Sequence, residues 1–523
     1  MKILFLFLII PVFYLSANEL PIGFTEEERL REHEIFFMGR TTDPPPMPIR
    51  NVAEYEKMQG VVIRYPLGIS TDLIAEMSED VIIYCLVSAS MQNNALATME
   101  NSGVNINNLE FVVGPTDSYW TRDYGPWWVV DGNNDMVIVD FTYNRPRPND
   151  NDAPSKMADF FGVPYFSTDL IHAGGNYMTD GLGISASSDL VYFENEVSDE
   201  EVLQLMQDYY GVDSYHVVPD PNNTYIDHID CWGKYLSPTK VLIREVPATH
   251  MQYDEIEQTA NYFASTNNRW GEPWELFRVY TPQDQPYTNS LILNEKVFVP
   301  TTGSSWDDEA LAVYEDAMPG YEILGFSGSW ESTDALHCRI KGIPDLEMLQ
   351  LFHNPINDST YPGDLGYLVQ IEISPLSGEE LITDSLLLFW KLRDMINWNI
   401  EPLVGIDSIS SSNLKYGWIP PQTNNSEIQY YFKAADSSGR VEHHPMSGYH
   451  KFLALPTDVC QDWILGDLDN SNSVNVADIL LLADQVLATA PLGLCPPTTA
   501  DINGDGFVNV IDIIFLTNLI LYP

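Results

Sequence analysis

"GVVIRYPLGISTDLIAEMSEDVIIYCLV" (residues 60–87) contains two apolar stretches typical of buried β-strands, with an amphipathic helical stretch between them. Ser70 and Asp72 supply a helix start signal at the beginning of that middle stretch. The alternation continues from about residue 50 to residue 350, with further strands predicted at 109–114, 127–132, 136–141, 240–246 and 296–300 and another helix at 198–211. It predicts an α/β fold built from several copies of a strand–strand–helix–strand unit.

The pattern changes to all-β between residues 361 and 457. Strands are predicted at 367–374, at 385–392 and within 426–445, where "DSSGR" (436–440) has the composition of a hairpin turn. We interpret this part as a small immunoglobulin-like β-sandwich. His443 and His444 are interpreted as surface residues rather than a metal site.

The last segment, residues 458–523, contains an internal repeat. "DLDNSNSVNVAD" (467–478) is echoed by "DINGDGFVNVID" (501–512), and each copy precedes an apolar helix. Oxygen-bearing side chains occupy positions 1, 3, 5, 9 and 12 of both loops, the spacing of an EF-hand-like calcium loop. Gly506 stands at the sharp turn of the second copy, and Asn472, which also tolerates left-handed φ, stands there in the first.

The predicted calcium ligands are Asp467, Asp469, Ser471, Asn475 and Asp478 in the first loop and Asp501, Asn503, Asp505, Asn509 and Asp512 in the second. The repeat resembles a type I dockerin over its whole length. That resemblance implies a small all-α module that binds two Ca²⁺ ions and docks on a cohesin-bearing scaffold protein.

The first residues have the pattern of a secretory signal peptide. Lys2 precedes an apolar run from Ile3 to Leu15, and the small residues Ser16 and Ala17 follow, so cleavage is expected after Ala17. This run is too short to span a bilayer, and the later sequence contains no apolar run of the necessary length. We expect a secreted protein, at the cell surface or outside it, without membrane insertion.

The chain is strongly acidic. It has 25 Lys and Arg against 75 Asp and Glu, a formal net charge of −50. This charge excludes binding to a nucleic-acid backbone as the main function. It suits a saline or calcium-bearing exterior, or basic substrates attracted by the field, and a simple adaptation for solubility is an equal alternative.

Five cysteines leave at least one unpaired. Cys460 and Cys495 bracket a short segment near the C-terminus and are the predicted disulfide pair. Cys85 lies inside an apolar strand and is expected to be an inert core residue. Cys231 and Cys338 lie in polar surroundings, and at least one of them requires a functional explanation.

Four polar clusters are predicted at strand ends. They are "WTRDYGPWW" (120–128) with Asp123, "HAGGNYMTDG" (172–181), "YIDHIDCWGK" (225–234) with His228 and Asp230, and "STDALHCRIKG" (332–342) with Cys338. Any one of them could be structural. Together they supply a thiol, a titratable base and two carboxylates, and a thiol with a histidine is the minimum for covalent catalysis. Paired carboxylates beside a thiol also suit a guanidinium, whose planar fork of donors they can accept.

The clusters and their order resemble the guanidino-group-modifying superfamily, in the branch of agmatine deiminases and bacterial peptidylarginine deiminases. The resemblance spans most of residues 40–350 within a predicted catalytic domain at 18–360. It implies a five-bladed, pseudo-symmetric α/β propeller that needs no cofactor for catalysis. It assigns Cys338 as nucleophile, His228 as general acid and base, Asp123 and Asp230 as the guanidinium clamp, and Asn289 as a further active-site residue.

"YNRPRPND" (143–150) places two arginines on a segment stiffened by Pro146 and Pro148. Arg145 and Arg147 could bind the carboxylate of a peptide that ends in arginine, a group that agmatine lacks. The loop resembles the substrate-carboxylate loop of the bacterial peptidylarginine deiminases, and the resemblance adds Trp120 and Tyr225 to the substrate-binding residues. Alternatively, the arginines pair with nearby acids such as Asp150 and Asp152.

Deimination of peptidylarginine, preferably at a C-terminal arginine, is therefore the predicted activity, and arginine-containing peptides or proteins are the predicted partners. The alternatives are deimination of agmatine or free arginine, a catalytically inactive module displayed on a scaffold, and a cysteine hydrolase of peptide bonds. The last alternative explains neither the paired carboxylates nor the arginine loop.

Overall fold

The computed structural model describes residues 19–356, 359–363, 365–405, 413–456, 464–469, 471–487, 499–504 and 508–521. The predicted signal peptide, the predicted disulfide between Cys460 and Cys495, and Asp505 lie outside these ranges. No helix within them is long and apolar enough to cross a membrane.

Twelve α-helices fall in the described ranges: α1 Glu26–Leu30, α2 Thr71–Asp80, α3 Gln92–Asn101, α4 Thr121–Tyr124, α5 Pro148–Asn151, α6 Ala153–Phe161, α7 Leu190–Phe193, α8 Asp199–Tyr210, α9 Tyr253–Ala264, α10 Asp307–Ala317, α11 Val476–Val486 and α12 Val510–Leu521. Strands up to residue 344 are β1 Arg50–Asn51, β2 Met58–Arg64, β3 Ile82–Val87, β4 Leu109–Val113, β5 Trp127–Val130, β6 Met136–Tyr143, β7 Tyr165–His172, β8 Met178–Thr179, β9 Ile184–Ser188, β10 Ser214–Val218, β11 Gly233–Ser237, β12 Lys240–Glu245, β13 Glu275–Tyr280, β14 Leu291–Leu293, β15 Lys296–Thr301, β16 Glu322–Ser327 and β17 Lys341–Pro344. The later strands are β18 Leu349–Phe352, β19 Ser359–Thr360, β20 Tyr367–Pro375, β21 Leu387–Leu392, β22 Asn399–Pro402, β23 Leu414–Ile419, β24 Ser426–Ala435, β25 Val441–His444 and β26 His450–Ala454.

Five separate sheets form the described chain up to residue 344. Their strand orders are β1-β5-β6-β7, β10-β9-β8, β11-β12-β13, β14-β15-β16 and β17-β2-β3-β4. Each sheet contains a parallel pair whose strands are joined through a helix, such as β2 and β3 through α2, and the fifth sheet contains a second such pair, β3 and β4. Each also contains an antiparallel neighbour, so the predicted strand–strand–helix–strand unit is present five times.

The fifth sheet joins the two ends of this region. Strand β17 comes from the end of the region and pairs antiparallel with β2 near its beginning, with Lys341 opposite Val62. This pairing closes the row of five units with a strand that is remote in sequence. It also brings the segment that carries Cys338 next to the first unit.

The helix signals read from the sequence are confirmed. The Ser70 side chain accepts a hydrogen bond from the Leu73 amide at the start of α2, and Ser198 does the same for Glu201 at the start of α8. Gly211 ends α8 with a left-handed φ of 67°, a conformation that favours glycine. Both helices bury one apolar face against their sheets.

The change of architecture comes earlier than residue 361. Strand β18, at Leu349–Phe352, pairs antiparallel with β20, and β19 pairs with β26. Residues 349–360, which the sequence analysis assigned to the first region, therefore belong to the second. The apolar pattern of β18 resembles that of the earlier strands, so composition alone did not locate the boundary.

The second region consists of two sheets with a shared apolar core. Strands β18, β20 and β23 form one sheet, and β19, β21, β22, β24, β25 and β26 form the other. Buried side chains from both sheets, including Ile371 and Phe432, belong to one cluster. His444 is not the surface residue we expected: its ring packs against His353 and His450, and burial lowers the pKa of His444 to about 4.

The described part of the C-terminal segment consists of two loops, each followed by a helix. In the first loop the Asp478 carboxylate accepts hydrogen bonds from the amides of Leu468 and Asp469, and Asn472 has a left-handed φ of 63°. Asp512 accepts equivalent bonds from Ile502 and Asn503 in the second loop. The two loops are therefore alike in backbone arrangement as well as in sequence.

Candidate active site

Short turns at the ends of the strands bring the polar clusters together. Helix α4 carries Asp123, and three 3₁₀ turns, at residues 174–176, 229–231 and 337–339, carry or adjoin the remaining groups. The turns pack against one another, although they are spread over more than 200 residues of sequence. The candidate nucleophile, base and carboxylates thus meet in one buried cluster.

Cys338 lies at the centre of this cluster and is fully buried. Its Sγ is 3.2 Å from Asn289 Nδ2, which donates to the sulfur, and 3.6 Å from Asp230 Oδ2. Asn289 is itself fixed, because its Oδ1 accepts from the amides of Ala335 and His337 at 3.1 Å. The amide donor of Asn289 therefore points at the sulfur, where it would stabilise a thiolate.

Asp123 and His228 form the opposite side of the site. The distance from His228 Nδ1 to Asp123 Oδ1 is 3.5 Å, and neither ring nitrogen of His228 has a hydrogen-bond partner among the described residues. Asp123 Oδ1 also accepts from the Gly175 amide at 3.1 Å. A buried histidine with both nitrogens unpartnered is costly unless a ligand supplies the missing bonds.

Gly175 keeps the space between these groups open. A Cβ atom at this position would lie 2.6 Å from Asp123 Oδ1, 2.8 Å from His228 Nδ1 and 3.3 Å from Asp230 Oδ2. Because Gly175 has no side chain, Asp123, His228 and Asp230 can approach one another closely. Any larger residue at the second glycine of "HAGGN" would collide with them.

The electrostatics of the site are set by burial. Burial, followed by the charge of Asp230, raises the pKa of Asp123 well above its usual range. Burial lowers the pKa of His228 to about 4, although the charge of Asp230 acts in the opposite direction. Burial and the neighbouring carboxylates raise the pKa of the Cys338 thiol. At neutral pH the substrate-free site therefore holds a neutral thiol and a neutral imidazole.

Of the two carboxylates, Asp123 and Asp230, it is Asp230 whose pKa favours the charged form. Burial alone would raise its pKa, but the hydrogen bond with His337 and the charge of that ring lower the pKa overall. His337 Nδ1 is 2.7 Å from Asp230 Oδ2, and His337 Nε2 is 2.7 Å from Glu54 Oε2. Burial, followed by the charge of Arg122, lowers the pKa of His337, whereas Glu54 and Asp230 act in the opposite direction. Only the imidazolium form, with two N–H groups, donates to both carboxylates at once.

Glu54 connects this histidine to a buried group of basic residues. Arg122 Nη2 lies 2.7 Å from its carboxylate and Lys234 Nζ lies 2.8 Å from it. Burial opposes ionisation, but the charges of His337, Lys234 and Arg122 hold the pKa of Glu54 well below its usual range. The sequence analysis did not identify Glu54 or His337. The only signal was the position of His337 next to the candidate nucleophile.

The other two buried thiols occupy different surroundings. Cys85 is completely buried in β3, as expected, and burial raises its pKa to about 12. Cys231 Sγ lies 3.5 Å from the Thr333 carbonyl oxygen and 3.7 Å from Asp230 Oδ1. Cys231 therefore packs behind the carboxylate, whereas Cys338 lies beside it.

The two arginines of the loop at 143–150 are not exposed. Arg145 is 3% exposed and Arg147 only 1%. Arg145 donates from Nε to the Ile22 carbonyl at 3.0 Å, and Arg147 forms an ion pair of 2.7 Å with Glu28. Neither arginine pairs with Asp150 or Asp152: Asp150 accepts from Ser118, and Asp152 pairs with Arg40. The alternative interpretation, in which the arginines pair with Asp150 and Asp152, is therefore wrong.

The predicted substrate-binding residues nevertheless border the catalytic cluster. The charge of Arg145 acts on the pKa of both His228 and Asp123, which locates this guanidinium near the site. Trp120 is buried, and its Nε1 donates to the Leu20 carbonyl at 3.2 Å. Tyr225 is 60% exposed and lies beside Gly23. All of the predicted site residues of the first region thus belong to one neighbourhood.

This arrangement is suited to chemistry on a cation. Two carboxylates face a thiol and an unpartnered imidazole in a volume closed to solvent. A planar cation could be held by Asp123 and Asp230 with its central carbon presented to Cys338.

Comparison with known proteins gives consistent results. Residues 51–344 match the family described as Porphyromonas-type peptidyl-arginine deiminase, and residues 465–521 match the type I dockerin domain. An agmatine deiminase of Medicago truncatula is 24% identical over 279 residues, covering 42% of this chain and 74% of that protein. The solved structure of the agmatine deiminase of Enterococcus faecalis has 17% identity and a TM-score of 0.51, covering 58% of this chain and 99% of that one. The structural likeness indicates a shared fold.

Proposed function

The chain belongs to the Porphyromonas-type peptidyl-arginine deiminase family, and from this premise we propose that it hydrolyses the guanidinium of peptidylarginine to a ureido group and ammonia. The family comprises hydrolases that act on the C–N bonds of guanidino groups. The observation that carries the proposal is the convergence of Cys338, His228, Asp123 and Asp230 in one buried volume. The five sheets, whose row is joined end to beginning by the pairing of β17 with β2, support a five-bladed propeller as the scaffold.

Substrate binding changes the charge of the site. A guanidinium entering between Asp123 and Asp230 brings a positive charge, which favours the ionised form of both carboxylates. The same charge favours the thiolate of Cys338. The substrate itself therefore activates the nucleophile, and the resting thiol stays unreactive until a cation is bound.

The reaction proceeds in two stages. The Cys338 proton passes to His228, and the thiolate forms an S–C bond with the central guanidinium carbon. His228 returns the proton to one nitrogen, the C–N bond breaks, and ammonia leaves an S-alkyl-thiouronium on Cys338. His228 then removes a proton from water, and the resulting hydroxide attacks the same carbon. The hydroxyl proton passes to the sulfur as the S–C bond breaks, which releases the ureido product and the thiol, and His228 loses its proton to solvent or to the departing ammonia. These steps require no metal or organic cofactor.

A peptide that ends in arginine is the preferred substrate in this proposal. Such a peptide carries a carboxylate close to its guanidinium. The charge of Arg145 acts on His228 and Asp123, and Arg147 lies two residues further along the same loop. A charge-assisted contact to a carboxylate contributes roughly 1.5 to 3 kcal/mol, so its loss costs about tenfold or more in kcat/KM. Peptides with an amidated or internal arginine should be correspondingly poorer.

We also propose that the enzyme belongs to an assembly outside the cell. We propose that the signal peptide at 1–17 directs export and that the 349–454 sandwich is immunoglobulin-like. Among the described residues, Asp467, Asp469 and Asp478 bring carboxylate oxygens within 4.8 Å of one another, which fits a calcium site. The dockerin would then bind two Ca²⁺ ions and dock on a cohesin-bearing scaffold.

Agmatine deimination is the second candidate, because relatives such as the Medicago truncatula protein carry that name. A parallel assay separates the two. Citrulline or carbamoylputrescine production is measured with one peptide ending in free arginine, its amidated form, free arginine and agmatine. We expect the highest kcat/KM with the free-carboxylate peptide. Preference for agmatine would overturn the peptide proposal, and equal rates for the free and amidated peptides would overturn the role of the carboxylate.

A further inference from the structure

Residues 20–28 contact every side chain expected to bind substrate. The main-chain carbonyls of this segment act as acceptors. Leu20 accepts from Trp120, Ile22 accepts from Arg145, and Pro21 and Gly23 accept from Arg147 Nη2 at 2.7 and 3.0 Å. A row of main-chain carbonyls bound by side-chain donors is the way in which an extended peptide is recognised.

Glu28 completes the set of contacts with a carboxylate. Its two oxygens accept from Arg147 Nε at 2.7 Å and Nη2 at 3.2 Å, a forked contact in which Arg147 is fully buried. Burial opposes ionisation, but the hydrogen bond from Arg147 keeps the pKa of Glu28 lowered. A capping box with Thr25 holds the carboxylate in place. This is the geometry that a peptide carboxylate would adopt on the same arginine.

The segment also closes the site to solvent. Ile22 is 3% exposed and belongs to the same buried cluster as Trp120, Ile226 and Cys338. The main chain at Gly23 lies close to Tyr225, since a Cβ there would be 2.7 Å from the tyrosine ring. Cys338 and His228 have no exposed surface in this arrangement, so a guanidinium cannot reach them unless a covering element moves.

We propose that residues 20–28 occupy the groove for the peptide chain of the substrate, with Glu28 in the place of its carboxylate, and that substrate displaces them to reach Cys338. This inference rests on the proposed function. It identifies the groove as a site for a carboxylate-bearing peptide. It also explains why arginines predicted to bind substrate are already paired.

The tether makes the segment an effective competitor. An attached ligand acts at a local concentration of roughly millimolar, so even weak contacts keep the groove filled when no substrate is present. The apparent affinity for substrate is then reduced by the fraction of molecules in which the groove is open. Weakening the segment should lower KM and leave kcat unchanged, because the catalytic groups are not altered.

The test uses the full chain with Glu28→Gln, and Glu26→Gln as the matched control. Glu26 lies on the same helix, is exposed, and loses the same charge on substitution. Iodoacetamide labelling of Cys338, measured by mass spectrometry, reports access to the site without requiring activity. We expect labelling of Glu28→Gln to be roughly tenfold faster than that of the native chain, and Glu26→Gln to match the native chain.

Cys85 is the internal control for unfolding, since its labelling should stay slow in every variant. Should Glu28→Gln label at Cys85 as well, Ile22→Ala replaces it and carries the same expectation. KM for the peptide ending in arginine should fall with the faster labelling.

Equal labelling of Cys338 in all variants with unchanged KM would overturn the inference, as would faster labelling with a higher KM. If the native chain turns over no guanidino substrate, the proposed function fails, and the labelling rates alone then decide whether the segment covers the thiol.

Discussion

Cys338 is held in a setting that suppresses its reactivity until a cation arrives. Burial and three carboxylates, those of Asp230, Asp334 and Asp123, raise the pKa of its thiol, and the Asn289 amide opposes them. A guanidinium bound between the carboxylates reverses this balance. In the proposed mechanism the thiolate forms only when a positively charged substrate is bound. A neutral molecule of the same shape would therefore not react.

Substitution of the two site cysteines distinguishes the nucleophile from its neighbour. Cys338→Ser should reduce kcat by more than about a thousandfold without changing the melting temperature, because a neutral hydroxyl is a far poorer nucleophile than a thiolate. Cys231→Ser should keep activity, since this thiol lies behind Asp230. Citrulline assays on both proteins check the assignment, and the opposite pattern would make Cys231 the nucleophile.

The sequence predicted the main polar residues of the candidate site, but it did not predict the residues that contact them. Asp123, His228, Asp230 and Cys338 were found because each lies in a polar cluster at a strand end. Glu54 was not, because its partners Arg122, Lys234 and His337 come from three other segments that only the fold brings together. The burial of Arg147 could not be foreseen either, since its partner Glu28 is 119 residues away.

At the scale of elements, local signals were reliable and boundaries were not. The caps at Ser70, Ser198 and Gly211 involve residues within a few positions of one another, so sequence determines them. Strand β17 closes the fifth sheet through a pairing with β2 that spans most of the region. The residues near β17 give no sign of a partner so distant in sequence. The predicted end of the first region, residue 360, is for this reason later than its end in the structure, at about residue 344.

The loops at 467–478 and 501–512 allow a prediction about calcium. Carboxylates crowded together repel one another without a cation, so Ca²⁺ binding should stabilise α11 and α12. Isothermal titration of the full chain should show two sites, and Asp478→Ala or Asp512→Ala should each leave one. A chelator should reduce helical signal while citrulline production persists. Unchanged stoichiometry in both variants would contradict the assignment of these loops.

The histidine cluster of the second region allows a prediction about pH. Burial lowers the pKa of His353 to about 3 and that of His444 to about 4, and His450 is lowered too. A histidine whose folded pKa lies below its unfolded value of about 6.5 stabilises the fold above pH 6.5, and this contribution is lost as the pH falls towards 4. Glu442, whose pKa burial raises to about 7, acts in the opposite direction but is a single group.

The melting temperature of this region should therefore fall between pH 6.5 and pH 4. His450→Asn should weaken that dependence, because one of the three buried rings no longer titrates. Calorimetry of the full chain at several pH values provides the measurement. A melting temperature that rises on acidification would contradict the argument.

At the scale of the whole molecule, the first two regions form a polar interface with close main-chain contact. Arg440 of the second region forms ion pairs with Asp345 and Glu347 in the segment that joins the two regions, and Ser447 donates to the Gly320 carbonyl of the first region at 2.5 Å. Lys57 lies 3.9 Å from Glu442. The second region therefore contacts the first region at Lys57, Pro319 and Gly320.

Gly448 provides the sharpest test of this interface. Its φ of 70° is left-handed, and a Cβ there would collide with the main chain of Pro319 and Gly320 in the first region. Gly378, with a φ of 71°, has nothing within 4 Å of the same position. Gly→Ala at either site adds the same backbone strain, roughly 1 to 2 kcal/mol, because an L-residue disfavours left-handed φ.

The difference between the free energies of unfolding of the two variants reports the contact between the regions. Gly448→Ala should be less stable than Gly378→Ala by about a further 1 to 3 kcal/mol, the usual cost of a steric overlap that the main chain must relieve. Denaturant unfolding of both proteins measures the difference, and kcat at low temperature should be unaffected in both because neither residue lies at the active site. If the two variants lose equal stability, the sandwich is merely tethered to the catalytic region, and the ion pairs of Arg440 contribute no more than ordinary surface pairs.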